Sequence, residues 1–471
     1  TWEAGGIRMT GACPLQLNFD LCHIDGRMCR IAIAITRLLS FSGRQSVRMP
    51  PSTHPKTTGQ PQPMDDPHGS SNIKRQLMAM LLTKTGDQLV NAKTVLPWVM
   101  GAVGAPLQLI GLLVPIRESL SMLPQFVLAG YLRSLSYRKP AWIAGALIQS
   151  FAIITMGLSA TFFEGAVSAW IILAALAVFS LGRALCSITG KDILGKTVSK
   201  SQRGRVNGWA TSGSGAVTMV LALCGISWLT HEEAKGWLLL PFALAVVLWW
   251  GAIVSYQGIR EKKGKTDRVK SALAQTAHTW DLVRKDVPFR NFLIARSLMT
   301  GSALAAPYLV LISQQSTGFE MSQLGSFMMA GAVGAAISGW IWGRMADQSS
   351  RRVLSCASGL AALVCFSILA TRGNSHDSQL ARWIYPVLFM VLHVAHAGVR
   401  VGRKTYLLNL AEGNRRTDYV AISNTLVGSF LILAGLVVSI GAKYPPSWFV
   451  LLFGLMSFCG SLWTFLLPRT S

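Results

Sequence analysis

From residue 76 onward the chain alternates long apolar runs with short polar breaks. Twelve runs approach the roughly 20 residues that a helix needs to cross a bilayer. They lie at about 78–103, 108–132, 141–162, 167–190, 207–230, 236–257, 289–313, 322–344, 353–371, 383–404, 418–441 and 446–468. Strands of a membrane barrel would alternate over segments of about 10 residues. These runs are longer and unalternating, so the pattern predicts an all-α polytopic membrane protein with 12 transmembrane helices. The first, second, fourth and tenth runs carry charges, whereas Trp237–Ser255 carries none.

Residues 1–75 do not share the pattern. They hold Pro50, Pro51, Pro55, Pro61, Pro63 and Pro67 among polar residues and have no sustained apolar period, which reads as a disordered or non-native extension. Met64 opens an ordinary polar lead-in, and the natural start is expected at or near it. A flexible tail and a targeting segment are the alternatives. Cys13, Cys22, His23 and Cys29 lack the paired spacing of a zinc site, so no metal and no cofactor are read.

Composition agrees with the pattern. Of 471 residues 51 % are hydrophobic and 14 % charged, against about 25 % charged in soluble domains. Fibrous and disulfide-scaffold classes are excluded by the aliphatic content and by only 8 Cys. The net charge of +24 needs its own account. One alternate set of loops carries 25 Lys and Arg, from Arg133, Arg138 and Lys139 through Lys191–Arg205, Arg260–Arg290 and Arg344–Arg352 to Arg400–Arg416. The opposite set carries only Lys235, Arg372, Arg382 and Lys443. Basic loops stay in the cytoplasm, so both termini are expected there. The charge is then a topology signal, and no nucleic-acid partner is read.

The most charged connection, residues 259–287, separates residues 76–258 from 288–471, six predicted spans each. It reads as a cytoplasmic linker, with a surface helix near Val269–Val283 as one option. The two parts repeat. Gly130 precedes a basic turn ending in Arg138 and Lys139, and Gly343 precedes one ending in Arg351 and Arg352. Gly190 and Gly402 follow in register, at an offset of 212 to 213 residues. A duplicated six-span unit is a transporter architecture with its binding site between the repeats near the bilayer midplane.

The second of these turns, Gly343-Arg-Met-Ala-Asp347-Gln-Ser-Ser-Arg351-Arg352, resembles the loop signature G-x-x-x-D-(R/K)-x-G-(R/K)-(R/K) of the major facilitator superfamily. Gln348 and Ser350 depart from it, and the first copy has Ser134 in place of the acid. The resemblance covers about residues 76–468 and is to uncharacterised bacterial members. It implies a major facilitator fold, 6 + 6 helices around a central cavity, working as a monomer in a bacterial inner membrane. It also implies that Gly130, Arg138, Lys139, Gly343, Asp347, Arg351 and Arg352 form a gating loop. The glycines would permit close helix approach. Asp347 would latch to Arg403 or Lys404, and the latch would be weaker at the first copy.

Charges inside spans cost about 2.5–3.5 kcal/mol each at mid-bilayer and are functional candidates. In the first span Lys84, Asp87 and Asn91 share a helical face from which Lys93 points away. Lys93 and Glu118 fall at matching depth in adjacent spans, a plausible ion pair with Arg117 as competitor. Arg183, Ser187 and Lys191 form a stripe on the fourth span; His393, His396, Arg400 and Arg403 form one on the tenth. The duplication superposes Arg183 on His396, Lys191 on Arg403 and Lys84 on Arg296. Basic groups outnumber acidic ones, which points to an anionic small molecule. Asp87, Glu118 or the histidines would carry a coupled proton.

Other readings compete. Gly208–Val217 is glycine-rich like the fifth-span signature of drug antiporters but lacks its proline. A non-transporting receptor on the same fold is a further class. Gly190–Thr197 matches the phosphate-loop pattern by letter, yet it follows a membrane helix rather than a strand. No enzyme is read.

Overall fold

A computed structural model describes residues 69–124, 128, 131, 132, 134–228, 238–264, 283–317, 321–371, 378–410 and 415–468. Most of the 1–75 extension, most of the linker, Gly130 and the side chain of Asp347 lie outside the described residues.

Every predicted span contains helix, as the need to satisfy backbone groups inside a bilayer requires. In chain order the elements are α1 (Gly69–Leu89), α2 (Val95–Ala102), α3 (Leu107–Ile110), α4 (Leu113–Met122), α5 (Lys139–Phe162), α6 (Gly165–Thr197) and α7 (Lys200–Trp228). There follow α8 (Leu240–Gln257), α9 (Val287–Leu298), α10 (Gly301–Thr317), α11 (Met321–Gln348) and α12 (Ser350–Thr371). The last are α13 (Ser378–Leu410), α14 (Arg415–Ile440) and α15 (Pro446–Trp463). No strand occurs among the described residues. Nine candidate spans are long and apolar enough to cross a membrane among the described residues. They correspond to the predicted third, fourth, sixth and later spans.

The first, second and seventh spans are broken where continuous helices were expected. In the first, the Asn91 Oδ1 accepts from the Lys93 backbone N–H at 2.9 Å, a turn that competes with the helix, and Pro97 supplies no N–H to resume it. Asn91 therefore leaves the helical face assigned to it, and Lys93 lies in the turn. In the second, Gly104 at φ +71° and Pro106 set the entry, and Gly111 separates α3 from α4. In the seventh, Ser302 Oγ donates to the Met299 carbonyl at 2.9 Å across the break. Gly301 there lies so close to α15 that a Cβ would meet the Phe453 carbonyl at 2.5 Å.

Among the first eight helices, α1 packs on α7 and α8, α5 on α6 and α8, and α4 on α6. Among the later ones, α12 packs on α13 and α15, α11 on α13, and α10 on α13 and α15. The most extensive contacts joining the groups are α2 with α10, α4 with α14, and α7 with α11. Lipid tails are as apolar as leucine, so helix association here depends on close packing. Gly182 of α6 faces Gly145 of α5, where a Cβ would come to 2.8 Å from the Gly145 carbonyl. Gly398 of α13 has the same role, with Trp342 at 2.5 Å and Ala357 at 2.7 Å from an added Cβ. The close approach expected at Gly343 is not found, since a Cβ there meets nothing within 4 Å. On the outer faces Val254, Trp170 and Ile440 stand exposed, apolar surface that suits hydrocarbon.

Candidate functional site

The predicted charges gather at the junction of the two helix groups. Lys93 Nζ lies 3.1 Å from Glu118, the pair expected from equal depth. The break between α1 and α2 frees the Lys93 side chain to reach across to α13 as well, where its Nζ lies 3.0 Å from His396 Nε2. His396 Nδ1 is 3.1 Å from Ser302 Oγ at the start of α10. Four chain segments thus meet on one polar chain: Glu118, Lys93, His396 and Ser302.

Arg117 does not compete for Glu118. It turns to Asp87 at 3.6 Å and its guanidinium lies 4.6 Å above the Phe179 ring. Asp87 also pairs with Arg183. Asp87 is thus shared by two guanidinium groups, and its charge is spent in holding α1, α4 and α6 together. Asp87 and Glu118, the acids proposed for the spans, both already have basic partners.

Lys84 bonds Thr211 and comes within 3.5 Å of the Asn207 carbonyl, so α7 supplies it with neutral oxygens only. Arg296 is buried at 5 % exposure and is held by Ser423 and by Asn424 Oδ1 at 2.9 Å. It superposes on Lys84 in the repeat, yet it sits inside the packing of α9 on α14. Asn91 and Gln88 join by a 3.0 Å bond, and both line a small cavity of about 10 Å³ with Thr218 and His393. The two histidines therefore part company: His396 bonds Lys93, and His393 borders that cavity.

On α13, Arg400 and Lys404 are exposed, and so is Lys191 on α6. Lys404 lies within electrostatic reach of Arg403, Arg400 and Lys191, and Lys84 within reach of Lys404 and Arg183. Among the described residues no carboxylate pairs with Arg400, Arg403, Lys404 or Lys191. These cations line the end of the molecule that also carries Lys196 and Arg203, here called the basic end. At the opposite, far end α2 closes on α10, with Gln314 Nε2 donating to the Trp98 carbonyl at 2.9 Å. Ser119 of α4 closes on α14 through a 2.8 Å bond to the Gly428 carbonyl.

The turn residues take more varied positions than the signature implied. Arg138 pairs with Asp192, and Lys196 bridges Asp192 at 2.8 Å and Glu261 at 3.0 Å. The buried Glu261 carboxylate accepts from the backbone N–H of Arg138 at 2.9 Å and of Lys139 at 2.8 Å. Lys139 Nζ donates to the Gln257 and Ile259 carbonyls, each at 3.0 Å. Ser134, which replaces the family acid, bonds only the nearby Tyr131 carbonyl at 2.7 Å. The acids at this turn are Asp192 and Glu261, which sequence reading missed. Asp192 sits one turn before Lys196 in the sequence, a legible signal, but Glu261 is brought in by the chain after α8. At the second turn Arg351 donates to the Leu467 carbonyl at 2.8 Å and Arg352 is exposed. The side chain of Asp347 lies outside the described residues, so its expected latch to Arg403 or Lys404 does too. The phosphate-loop lettering at Gly190–Thr197 falls within the continuous helix α6, and its lysine is the one bridging Asp192 and Glu261. Among the described residues no group of side chains is arranged to hold a metal ion.

The structure is similar to a transporter of the POT family solved with a thioalcohol-conjugated peptide, at TM-score 0.63 and 11 % identity over 83 % of this chain and 94 % of that one. It is similar to the nucleoside transporter NupG at TM-score 0.63 and 12 % identity, over 84 % and 99 %. A bacterial homologue of the iron transporter ferroportin, solved inward-facing, gives TM-score 0.59 and 17 % identity over 83 % and 98 %. At such identities the likeness concerns fold alone. No curated protein matches the chain by sequence. The family model of the Major Facilitator Superfamily matches residues 81–435, three quarters of the chain and the segment that holds every cross-group contact above, and the protein belongs to that superfamily.

Proposed function

We propose that the protein is a secondary active transporter that moves a small organic anion by alternating access, coupled to protons, with the basic end facing the cytoplasm. One observation carries the anion reading. Arg400, Arg403, Lys404 and Lys191 stand along the opening of the basic end without a carboxylate partner among the described residues. Such a cluster of cations sets up a positive potential that attracts an anion. The acids deeper in the molecule are paired with Lys93, Arg117 and Arg183, and of these Glu118 also lies within electrostatic reach of Arg400 and Arg403.

The shape supports the alternating-access reading. Backbone and side-chain contacts close the far end, and the charged stripe of α13 is exposed at the other. Together these support a reading in which the basic end is the open one. The 6 + 6 arrangement, residues 76–258 and 288–471 with the linker between, supplies the two bodies that would rock about the site.

The test is uptake of radiolabelled carboxylates into proteoliposomes under an imposed pH gradient. The reading expects gradient-driven uptake of at least one anion and its loss in the Arg183→Ala/Arg400→Ala variant. Uptake indifferent to the gradient removes the coupling. Full activity of the double variant removes the anion site.

A further inference from the structure

The bond between Lys93 and His396 crosses between the two groups of helices. Its hydrogen positions follow from its neighbours. Lys93 Nζ, held by the Glu118 carboxylate at 3.1 Å, is an ammonium with donors only. His396 Nε2, 3.0 Å away, must therefore be an acceptor. Ser302 Oγ gives its own hydrogen to the Met299 carbonyl at 2.9 Å. It is thus free to accept from His396 Nδ1 at 3.1 Å, and the proton of the imidazole sits on Nδ1. The network assigns a single neutral tautomer, with Nε2 as the one unprotonated atom.

We propose that His396 Nε2 binds the coupling proton, and that its protonation parts Lys93 from α13 and releases the closed far end. The proposal deepens the transport reading and rests on its proton coupling. A proton on Nε2 occupies the lone pair that Lys93 uses and sets two cations about 3 Å apart, a repulsive pair. Lys93 keeps Glu118, so it has a place to go on its own side. The position of the bond gives it leverage. Lys93 sits in the break just before α2, and Ser302 begins α10 just after the break that follows α9. These are the two helices that close on each other through Gln314 and Trp98. A change at the imidazole is therefore felt at the root of both closing helices.

The groups around the imidazole do not substitute for it. Within electrostatic reach of His396 are Lys93, and Arg400, Arg403 and His393 of α13 itself. Glu118 of α4 is engaged by Lys93. From α10 comes only the hydroxyl of Ser302. Arg296 of α9 is held by α14. Arg344 of α11 lies over Trp340 and Arg351 of α12 bonds the Leu467 carbonyl, so both are directed elsewhere. His393 borders the small cavity and makes no bond to Lys93.

The experiment needs no substrate. Spin labels are placed on exposed far-end positions of the two groups, Phe163→Cys and Tyr444→Cys, in full-length protein otherwise free of cysteine, and their separation is measured by double electron–electron resonance. Acidification from about pH 8 to about pH 4, well past the pKa of a free imidazole, is expected to shift the wild-type distances to longer values. His396→Gln, which offers Lys93 an acceptor that does not titrate, should hold the short distance at both pH values. Lys93→Met/Glu118→Gln, which removes the strap and its counter-charge together, should show the long distance already at pH 8. Acid-induced opening of His396→Gln to the wild-type extent would overturn the proposal. So would an acid-insensitive wild type, or a double variant that stays closed at pH 8. If proteoliposome uptake ignores a pH gradient while these shifts occur, the transport coupling fails and the strap stands.

Discussion

Helices α6 and α13 occupy matching places in the duplicated sequence and are packed alike, yet their charges are handled in opposite ways. Each lies against its neighbours through glycine: Gly182 on α5, Gly398 on α11 and α12. Each carries a polar stripe facing the junction. On α6 the deep guanidinium of Arg183 is paired with Asp87, and the carboxylate of Asp192 near its end with Arg138 and Lys196. On α13 Arg400, Arg403 and Lys404 have no such partner among the described residues. Shared packing with unshared neutralisation separates two jobs. Arg183 and Asp192 of α6 hold helices together, whereas Arg400, Arg403 and Lys404 of α13 form no salt bridge with a carboxylate among the described residues.

The contrast can be broken most forcefully at Asp87. Asp87→Asn leaves Arg117 and Arg183 without a carboxylate, and removing one partner from a buried ion pair costs about 3–5 kcal/mol. The expected outcome is a large fall in the detergent melting temperature, or failure to elute as a single species. Next comes the shared scaffold. Gly398→Val drives a side chain into Trp342 and should cost about 1–3 kcal/mol by overpacking. Gly343→Ala meets open space and should change the same melting temperature little, within about 0.5 kcal/mol. Arg400→Ala should leave folding intact but weaken anion binding about tenfold, about 1.4 kcal/mol, as read by calorimetric titration. The smallest effect is that of salt. Raising ionic strength screens the exposed Arg400 and Lys404 but not the partly buried Asp87 cluster. Anion affinity should therefore fall a few-fold while the melting temperature stays nearly constant.

The fold was legible because the bilayer imposes length and satisfaction of the backbone, and both show directly in the apolar runs. The Lys93–Glu118 pair was legible because depth along a helix can be counted. The breaks were not. Pro97 and Pro106 were visible, but the turn at Asn91 depends on a side chain choosing its own backbone. That turn moves Asn91 off the helical face and puts Lys93 in the break, from which it reaches His396. Arg117, named as a competitor in the Lys93–Glu118 pair, turns to Asp87 instead, because periodicity gives a direction around one helix, not the position of its neighbour. Arg296 looked equivalent to Lys84 by register, yet Ser423 and Asn424 bury it. Glu261 had no local signal, since its partners precede it by 65 to 123 residues.

The anion claim is tested most directly by the thermal stability of purified protein against size-matched ligands: mono- and dicarboxylates, a neutral sugar and an alkylammonium. Ligands that bind only the folded state raise the melting temperature. The account predicts a rise with carboxylates alone, and its loss in Arg400→Ala/Lys404→Ala. A rise with the sugar or the alkylammonium and none with carboxylates would contradict it, as would a carboxylate response unchanged in that double variant.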